Sequence, residues 1–235
     1  MPKNILYFLL FTLLFVFGNP AFAQTRAEQA ATRVKPILVT SLAEKKLSYG
    51  NAVFIRIFKA EKDLELWVKQ GEQFVLFKTY PICTFSGRLG PKTRQGDNQA
   101  PEGFYRVGLG QLNPYSSYHL SFNLGYPNEY DRVNQRTGDF LMVHGNCVSI
   151  GCYAMGDAAI EEIYTLMEAA LRNGQSNINV HVFPFRYDST RINWQRSEWQ
   201  SFWNDLKVGF DAFNANKKPP TIGVVNKRYK ITAAP

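Results

Sequence analysis

Residues 142–152 read MVHGNCVSIGC, which sets His144, Cys147 and Cys152 within nine positions, among the small residues Gly145, Ser149 and Gly151. The whole chain has only three cysteines and three histidines. Three chemistries are open to such a cluster. The H-x2-C-x4-C spacing offers soft ligands to zinc, but a structural site wants four and no further cysteine or histidine lies nearby in sequence. No metal is therefore expected. A Cys147–Cys152 disulfide is conceivable across the short loop, yet it would close a small ring and add little stability. A thiol nucleophile accounts for more of the residues and asks for no cofactor. Cys152 stands just ahead of a helix with Asp157 as its expected N-cap, and a positive helix end and a histidine base both lower a thiol pKa. His144, closing an apolar strand, is the candidate base. Gly151 lets a peptide N–H approach a reacting carbonyl, so the N–H groups around Cys152 are candidate oxyanion donors.

The compartment decides how the cysteines are read. Residues 1–23 carry one cation, Lys3, then an apolar run from Ile5 to Phe17, a Gly-Asn-Pro break and Ala21-Phe22-Ala23. This is the pattern of a secretory signal peptide cut after Ala23. The apolar run is short for a membrane span, which needs about 20 residues, so no stable transmembrane anchor is expected after cleavage. In an oxidising compartment three cysteines cannot all pair within one chain, so at least one is free. The net charge of +8 favours acidic partners. Its basic residues are scattered, so an anionic cell envelope is expected rather than nucleic acid.

Several elements must position the cluster. Residues 24–49 read as an N-terminal helical segment, with Pro36 near a helix start and Ile37, Leu38, Ser41, Leu42 and Leu47 at helical spacing. Strand patterns follow at AVFIRIFK, LELWV, FVLFKTYPIC, GFYRV, SYHLSFNLG, GDFLMVHG and INVHVFPF. The long loop TFSGRLGPKTRQGDNQAPE is rich in glycine, proline and cations, and Arg88, Lys92 and Arg94 in it are candidates to meet substrate carboxylates. After Cys152 the period changes to 3.6, with Ile160, Ile163, Tyr164, Met167 and Leu171 on one stripe. A second amphipathic helix spans SEWQSFWNDLKVGFDAF, and TIGVVNKRYKI closes the chain as one strand. This order predicts an α+β fold with a mostly antiparallel β core, flanking helices and a C-terminal helical extension over 186–235. Cys83, in a strand pattern, reads as a buried thiol. Cys147 stays open between a resolving thiol, a wall of the site and a bystander. His119 and His181 lie in strand patterns and read as structural.

The cluster resembles the L,D-transpeptidase (YkuD-type) catalytic domain, whose signature runs from a strand-end His-Gly to Ser-His-Gly-Cys. His144-Gly145 matches the first half and Ser149-x-Gly151-Cys152 the second, and Pro101-Glu102-Gly103-Phe104-Tyr105 is similar to the segment upstream. The likeness covers roughly residues 50–185. The spacing between His144 and Cys152 is shorter than usual, Ile150 replaces the second histidine, and no arginine follows the cysteine. With HGNCVSIGCYAM, APEGFY and FPFR, the chain is most similar to the YafK-like branch of murein L,D-transpeptidases. The resemblance implies a β-sandwich or barrel core and a periplasmic enzyme. Cys152 would attack the carbonyl on the L-centre of meso-diaminopimelate in peptidoglycan stem peptides, with His144 as base. Ser149, Gly151 and Gly145 would shape the turn, and Tyr153 would line the pocket. It also implies an amidase that releases outer-membrane lipoprotein bound to peptidoglycan. The departures from the signature feed a second expectation, a non-catalytic module that binds peptidoglycan.

Overall fold

The computed structural model describes residues 24–188 and 193–234. The expected signal peptide over residues 1–23 therefore lies outside the described residues. Helix α1 (Arg26–Glu44) begins ten residues ahead of Pro36, which sits inside it. A capping box sets that start: Thr25 accepts from the Glu28 N–H, and the Glu28 side chain accepts from the Thr25 N–H. Leu38 and Leu42 bury against the core while Ile37 stays 64% exposed, so the inward stripe is narrower than the apolar residues alone suggest.

Strands β1 (Val53–Phe58), β2 (Asp63–Gln70) and β3 (Gln73–Pro81) form a meander. Next come the short β4 (Thr84–Phe85), then β5 (Gly103–Val107), β6 (Leu112–Asn113) and β7 (Ser121–Asn123). The polar segment after β7 contains a short helix, α2 (Glu129–Val133), which sequence pattern reads as loop. Strands β8 (Met142–His144) and β9 (Tyr153–Ala154) flank the histidine-cysteine cluster. Helix α3 (Asp157–Arg172), β10 (Ile178–Phe183) and α4 (Gln200–Asn216) follow. The chain ends in a hairpin, β11 (Thr221–Val225) and β12 (Arg228–Thr232), where one strand was expected. Asn226 and Lys227 both adopt positive φ, the conformation of a type I′ turn, and so fold that segment back on itself. The C-terminal extension is thus a helix with a hairpin.

Two five-stranded mixed sheets result, in the orders β3-β2-β1-β10-β5 and β4-β9-β8-β7-β6. Most pairs are antiparallel; β1–β10 and β8–β9 are parallel. The fold is α+β, as expected, and the sheets do not close into a barrel. The main core gathers Ile55, Ile57, Val143, Tyr153, Ile160, Met167 and Val180 between sheets and helices. The other face of the first sheet carries a second, aromatic core of Phe58, Phe104, Phe183, Trp203 and Phe210 beneath α4 and the hairpin. Burial on both faces explains why β1 alternates only in part.

The loop between β4 and β5 is pinned from below. Lys59, fully buried, pairs with the fully buried Glu102 at 3.1 Å and donates to the carbonyls of Gly90 and Ala100. Glu102 also accepts from the Gly90 N–H and the Trp203 indole. A charged pair without water persists only when its remaining donors and acceptors are met, as they are here. Glu102 belongs to the Pro101–Tyr105 segment, so the stretch that resembles the family also anchors the loop.

Candidate active site

Strands β8 and β9 build the site. Their parallel register pairs Val143 with Tyr153 and His144 with Ala154, and the connection between them carries Gly145 through Cys152. Both ends of this crossover are fixed. Gly145 donates to Leu120 O and Met155 to His144 O, while Asn146 donates to the Asp157 carboxylate at 2.7 Å. A side chain at Gly145 would place its Cβ 2.6 Å from Asp157 Oδ1 and 2.8 Å from Tyr118 O, so only glycine fits there. Helix α3 is capped by Gly156 with no side-chain cap; Asp157, expected as the cap, is instead its first residue and holds Asn146.

The crossover is clamped to the β3–β4 connection by a Cys83–Cys147 disulfide with a Cα–Cα distance of 5.5 Å. This corrects the reading of Cys83 as a buried thiol and answers the open question of Cys147. Cys83 follows β3, is exposed, and its N–H also bonds Ala154 O at 2.9 Å. It therefore lies beside β9, within reach of the crossover. Cys152 is the free cysteine and is half-buried, so the Cys147–Cys152 bridge conceivable from spacing does not form. An odd thiol in a chain expected to be exported was the available signal; what sequence lacks is the 64-residue closure that brings Cys83 to Cys147.

His144 is almost fully buried, and its ring packs on that of Tyr118 at a centroid distance of 4.7 Å. Its Nδ1 lies 2.6 Å from Gly145 O. A carbonyl can only accept, so Nδ1 carries the proton and Nε2 of the neutral ring keeps its lone pair. The histidine thereby keeps the free acceptor nitrogen that a candidate base needs, with a backbone carbonyl as its orienting partner. Cys152 Sγ accepts from the Met142 N–H at 3.4 Å and faces Phe140 O at 3.8 Å. Among the described residues, thiol and imidazole share no hydrogen bond.

Electrostatics differ from expectation. Burial pushes the Cys152 thiol up, and the Met142 N–H and the charge of Lys92 pull only partly against it. Burial likewise lowers His144, opposed by the Gly145 carbonyl. The resting pair is a neutral thiol and a neutral imidazole, because desolvation outweighs the few groups that favour charge.

The other expected residues divide. Ser149 organises the turn: its Oγ donates to Cys152 O at 2.7 Å and accepts from Gly151 N–H at 3.2 Å. The Gly151 N–H is thus engaged and is not a free oxyanion donor; Gly151 instead supplies a φ of +144° ahead of the thiol. The Cys152 N–H is left as the candidate donor. Tyr153, expected to line the pocket, is fully buried, with its hydroxyl on Pro101 O at 2.7 Å. It faces the core because its partner in register, Val143, does. Lys92 is buried too, held by Asp97 at 2.6 Å and by Arg94 O, and its charge reaches Cys152. Arg88 and Arg94 are exposed on the same loop. Phe140, Val148 and Ile150 form an exposed apolar rim on the segments beside the thiol, Ile150 at 83% exposure. His119 bonds Glu161 at 2.7 Å, as a structural histidine would. Among the described residues no cluster of His, Cys, Asp and Glu could hold a metal.

The sequence matches the YkuD family, the L,D-transpeptidase catalytic domain, over residues 52–193. The chain belongs to this family of peptidoglycan-related L,D-transpeptidases. It is 48% identical over 189 residues to the family protein YafK of Escherichia coli K12, covering 80% of this chain and 77% of the relative; YafK of E. coli O157:H7 matches equally. Among solved structures it is similar to the helical cell shape determining protein Pgp2 of Campylobacter jejuni, at 18% identity and a TM-score of 0.47, covering 82% of this chain and 80% of that one.

Proposed function

We propose that this chain is a periplasmic cysteine acyltransferase acting on peptidoglycan stem peptides at the carbonyl on the L-centre of meso-diaminopimelate. The observation that carries it is that the free thiol of Cys152, bonded to Met142 N–H of β8, stands at the head of the strand paired with the one that bears His144, whose Nδ1 is held by Gly145 O and whose Nε2 is left as base. Cys152 Sγ attacks the carbonyl as its proton passes to His144 Nε2. The C–N bond then breaks, and the departing amine takes that proton, which leaves a thioester. Water as acceptor regenerates the thiol and gives hydrolysis; an amine gives transpeptidation. The Cys152 N–H is the candidate donor to the developing oxyanion. Family membership supports the substrate class, and the Cys83–Cys147 disulfide supports an oxidising compartment, as does the signal-peptide pattern. The exposed apolar rim of Phe140, Val148 and Ile150 suits a protein-linked substrate, the peptidoglycan-bound outer-membrane lipoprotein, and so favours the amidase outcome.

A second reading, a catalytically degenerate peptidoglycan-binding module, draws on the neutral resting pair and its missing hydrogen bond. The test is incubation of diaminopimelate-containing sacculi with wild type and with Cys152→Ala. Mass spectrometry should find released lipoprotein or new diaminopimelate cross-links with wild type only. Equal products from both proteins, or none from either alongside retained sacculus binding, would sink the enzymatic reading.

A further inference from the structure

The second sheet face holds a cavity of about 270 Å³ that takes no part in the Cys152 site. Its floor is the paired strands β5 and β10, where register sets Arg106 beside Asn179 and Phe104 beside His181. The hairpin β11–β12 roofs it with Ile222, Gly223 and Val224, and α2 closes one end with Glu129 and Arg132. The hairpin lies beyond residues 52–193, so the cavity needs a part of the chain outside the catalytic domain.

His181 is the anomaly. It is 1% exposed, and neither Nδ1 nor Nε2 has a hydrogen-bond partner. Its ring is flanked edge-on by Phe54 and Phe104 at 4.8 and 4.6 Å, contacts that fix its plane but satisfy polar atoms weakly at best. A buried imidazole without partners is costly, and natural cores rarely keep one. Beside it, Arg106 is exposed, makes no ion pair among the described residues, and acts on the imidazole through its charge. Tyr229 Oη accepts from the Phe104 N–H and the Asn128 side chain, while its own proton has no acceptor among the described residues. The Tyr229 hydroxyl and the free Arg106 guanidinium thus line one small space with aromatic walls, and the His181 ring, its nitrogens closed to solvent, is part of that wall. Glu129, also without an ion pair among the described residues, stands at the far end.

We propose that this cavity is a second, non-catalytic site that binds a small zwitterion of amino-acid to dipeptide size. The ligand carboxylate takes Arg106 and the Tyr229 hydroxyl, its ammonium faces Glu129, and the His181 ring packs against it as wall. The size fits, since 270 Å³ lies at the lower edge of ligand pockets. The inference is independent of Cys152 chemistry.

The test uses full-length mature protein carrying Cys152→Ala, titrated with meso-diaminopimelate and with D-alanyl-D-alanine. Cadaverine, which lacks a carboxylate, and acetate, which lacks an ammonium, serve as controls. Binding is followed by calorimetry and by the ring signals of labelled histidine. The expected result is saturable binding of at least one zwitterion, with His181 signals moving and those of His119 and His144 still. Arg106→Gln, an exposed substitution that spares the fold, should weaken binding about tenfold or more. Glu129→Gln, exposed at the other end of the cavity, should do the same. Unmoved His181 signals at saturating zwitterion would overturn the proposal, as would equal binding of cadaverine or acetate, or affinity indifferent to Arg106→Gln.

Discussion

Removing the Cys83–Cys147 bond with the double substitution Cys83→Ser, Cys147→Ser tests how the crossover is held. The two cysteines are 64 residues apart. In the chain-entropy account, cutting a loop of that length frees the unfolded state by about 4 kcal/mol at 25 °C. For a domain of this size, that lowers the melting temperature by about 8–16 °C. The native state loses something different. Gly145, Asn146 and Met155 keep their hydrogen bonds to Leu120, Asp157 and His144, so the ends of the crossover stay in place. Its middle, with Val148 and Ile150 already exposed, loses its tie to the β3–β4 connection. The Ser149 turn behind Cys152 then rests on its own two hydrogen bonds. Stability should therefore fall steeply, while kcat on diaminopimelate-containing muropeptides falls through misplacement of the thiol with little change in KM. Urea denaturation with linear extrapolation measures the first and steady-state kinetics the second, after mass spectrometry has verified the bond in wild type. A loss below about 1 kcal/mol in the double variant, with the wild-type bond intact, would refute the entropic reasoning.

Gly145→Ala forces its Cβ within 2.6 Å of Asp157 Oδ1 and 2.8 Å of Tyr118 O, and should cost about 1–3 kcal/mol by thermal melt while depressing turnover. Lys59→Met strands Glu102 as a buried charge and should cost about 3–5 kcal/mol in urea; Lys59→Met with Glu102→Leu should recover most of it. His181 is held at about 3 by burial and by the charges of Arg56 and Arg106. Its folded pKa is depressed, so the unfolded chain binds the extra proton. Stability is full above about 6.5 and falls by up to about 1.4 kcal/mol per pH unit down to about 3, a slope that His181→Phe should remove from a pH series of urea melts. Because burial raises the Cys152 thiol, its alkylation by iodoacetamide should keep rising with pH beyond the point where a free cysteine peptide levels off. Lys92→Met should push that curve higher still.

Much of the fold was legible because its signals are local. The Ile160–Leu171 stripe and the strand patterns around β1, β5, β8 and β10 follow from period alone, and they fall where expected. The proposed nucleophile and base stand out in sequence because strand, glycine and turn residues surround them. What escaped depends on distant contacts. Thr25 and Glu28 form a capping box that overrides Pro36 as a start signal, and a single proline is absorbed inside a helix that packs on α3. The Asn226-Lys227 turn lacks the glycine that usually marks a hairpin. At the site, chain position says that Cys152 precedes a helix and follows a histidine, and from that a lowered pKa was expected. It does not say how deeply both groups are buried, and burial reverses the expected sign for the thiol while it lowers the imidazole. Tyr153 and Lys92 show the same gap: one was read as a pocket wall and the other as a loop cation, yet both are buried, Tyr153 on Pro101 far away in sequence and Lys92 on Asp97 where its own loop folds back.

That reversed sign bears on how the thiol coexists with its neighbour. Cys152 lies five positions beyond one sulfur of an exposed disulfide. Exchange between them needs a thiolate, and its rate follows the thiolate fraction. Were Cys152 a preformed thiolate–imidazolium pair, it would attack its own clamp. Burial keeps the thiolate scarce and spares the disulfide, while the Met142 N–H and the Lys92 charge retain enough support to make the anion reachable. In the proposed reaction the proton therefore moves to His144 Nε2 during attack on the carbonyl. The base then stabilises charge that forms with the new bond, and the Gly145 carbonyl that fixes its tautomer also steadies the imidazolium as it appears.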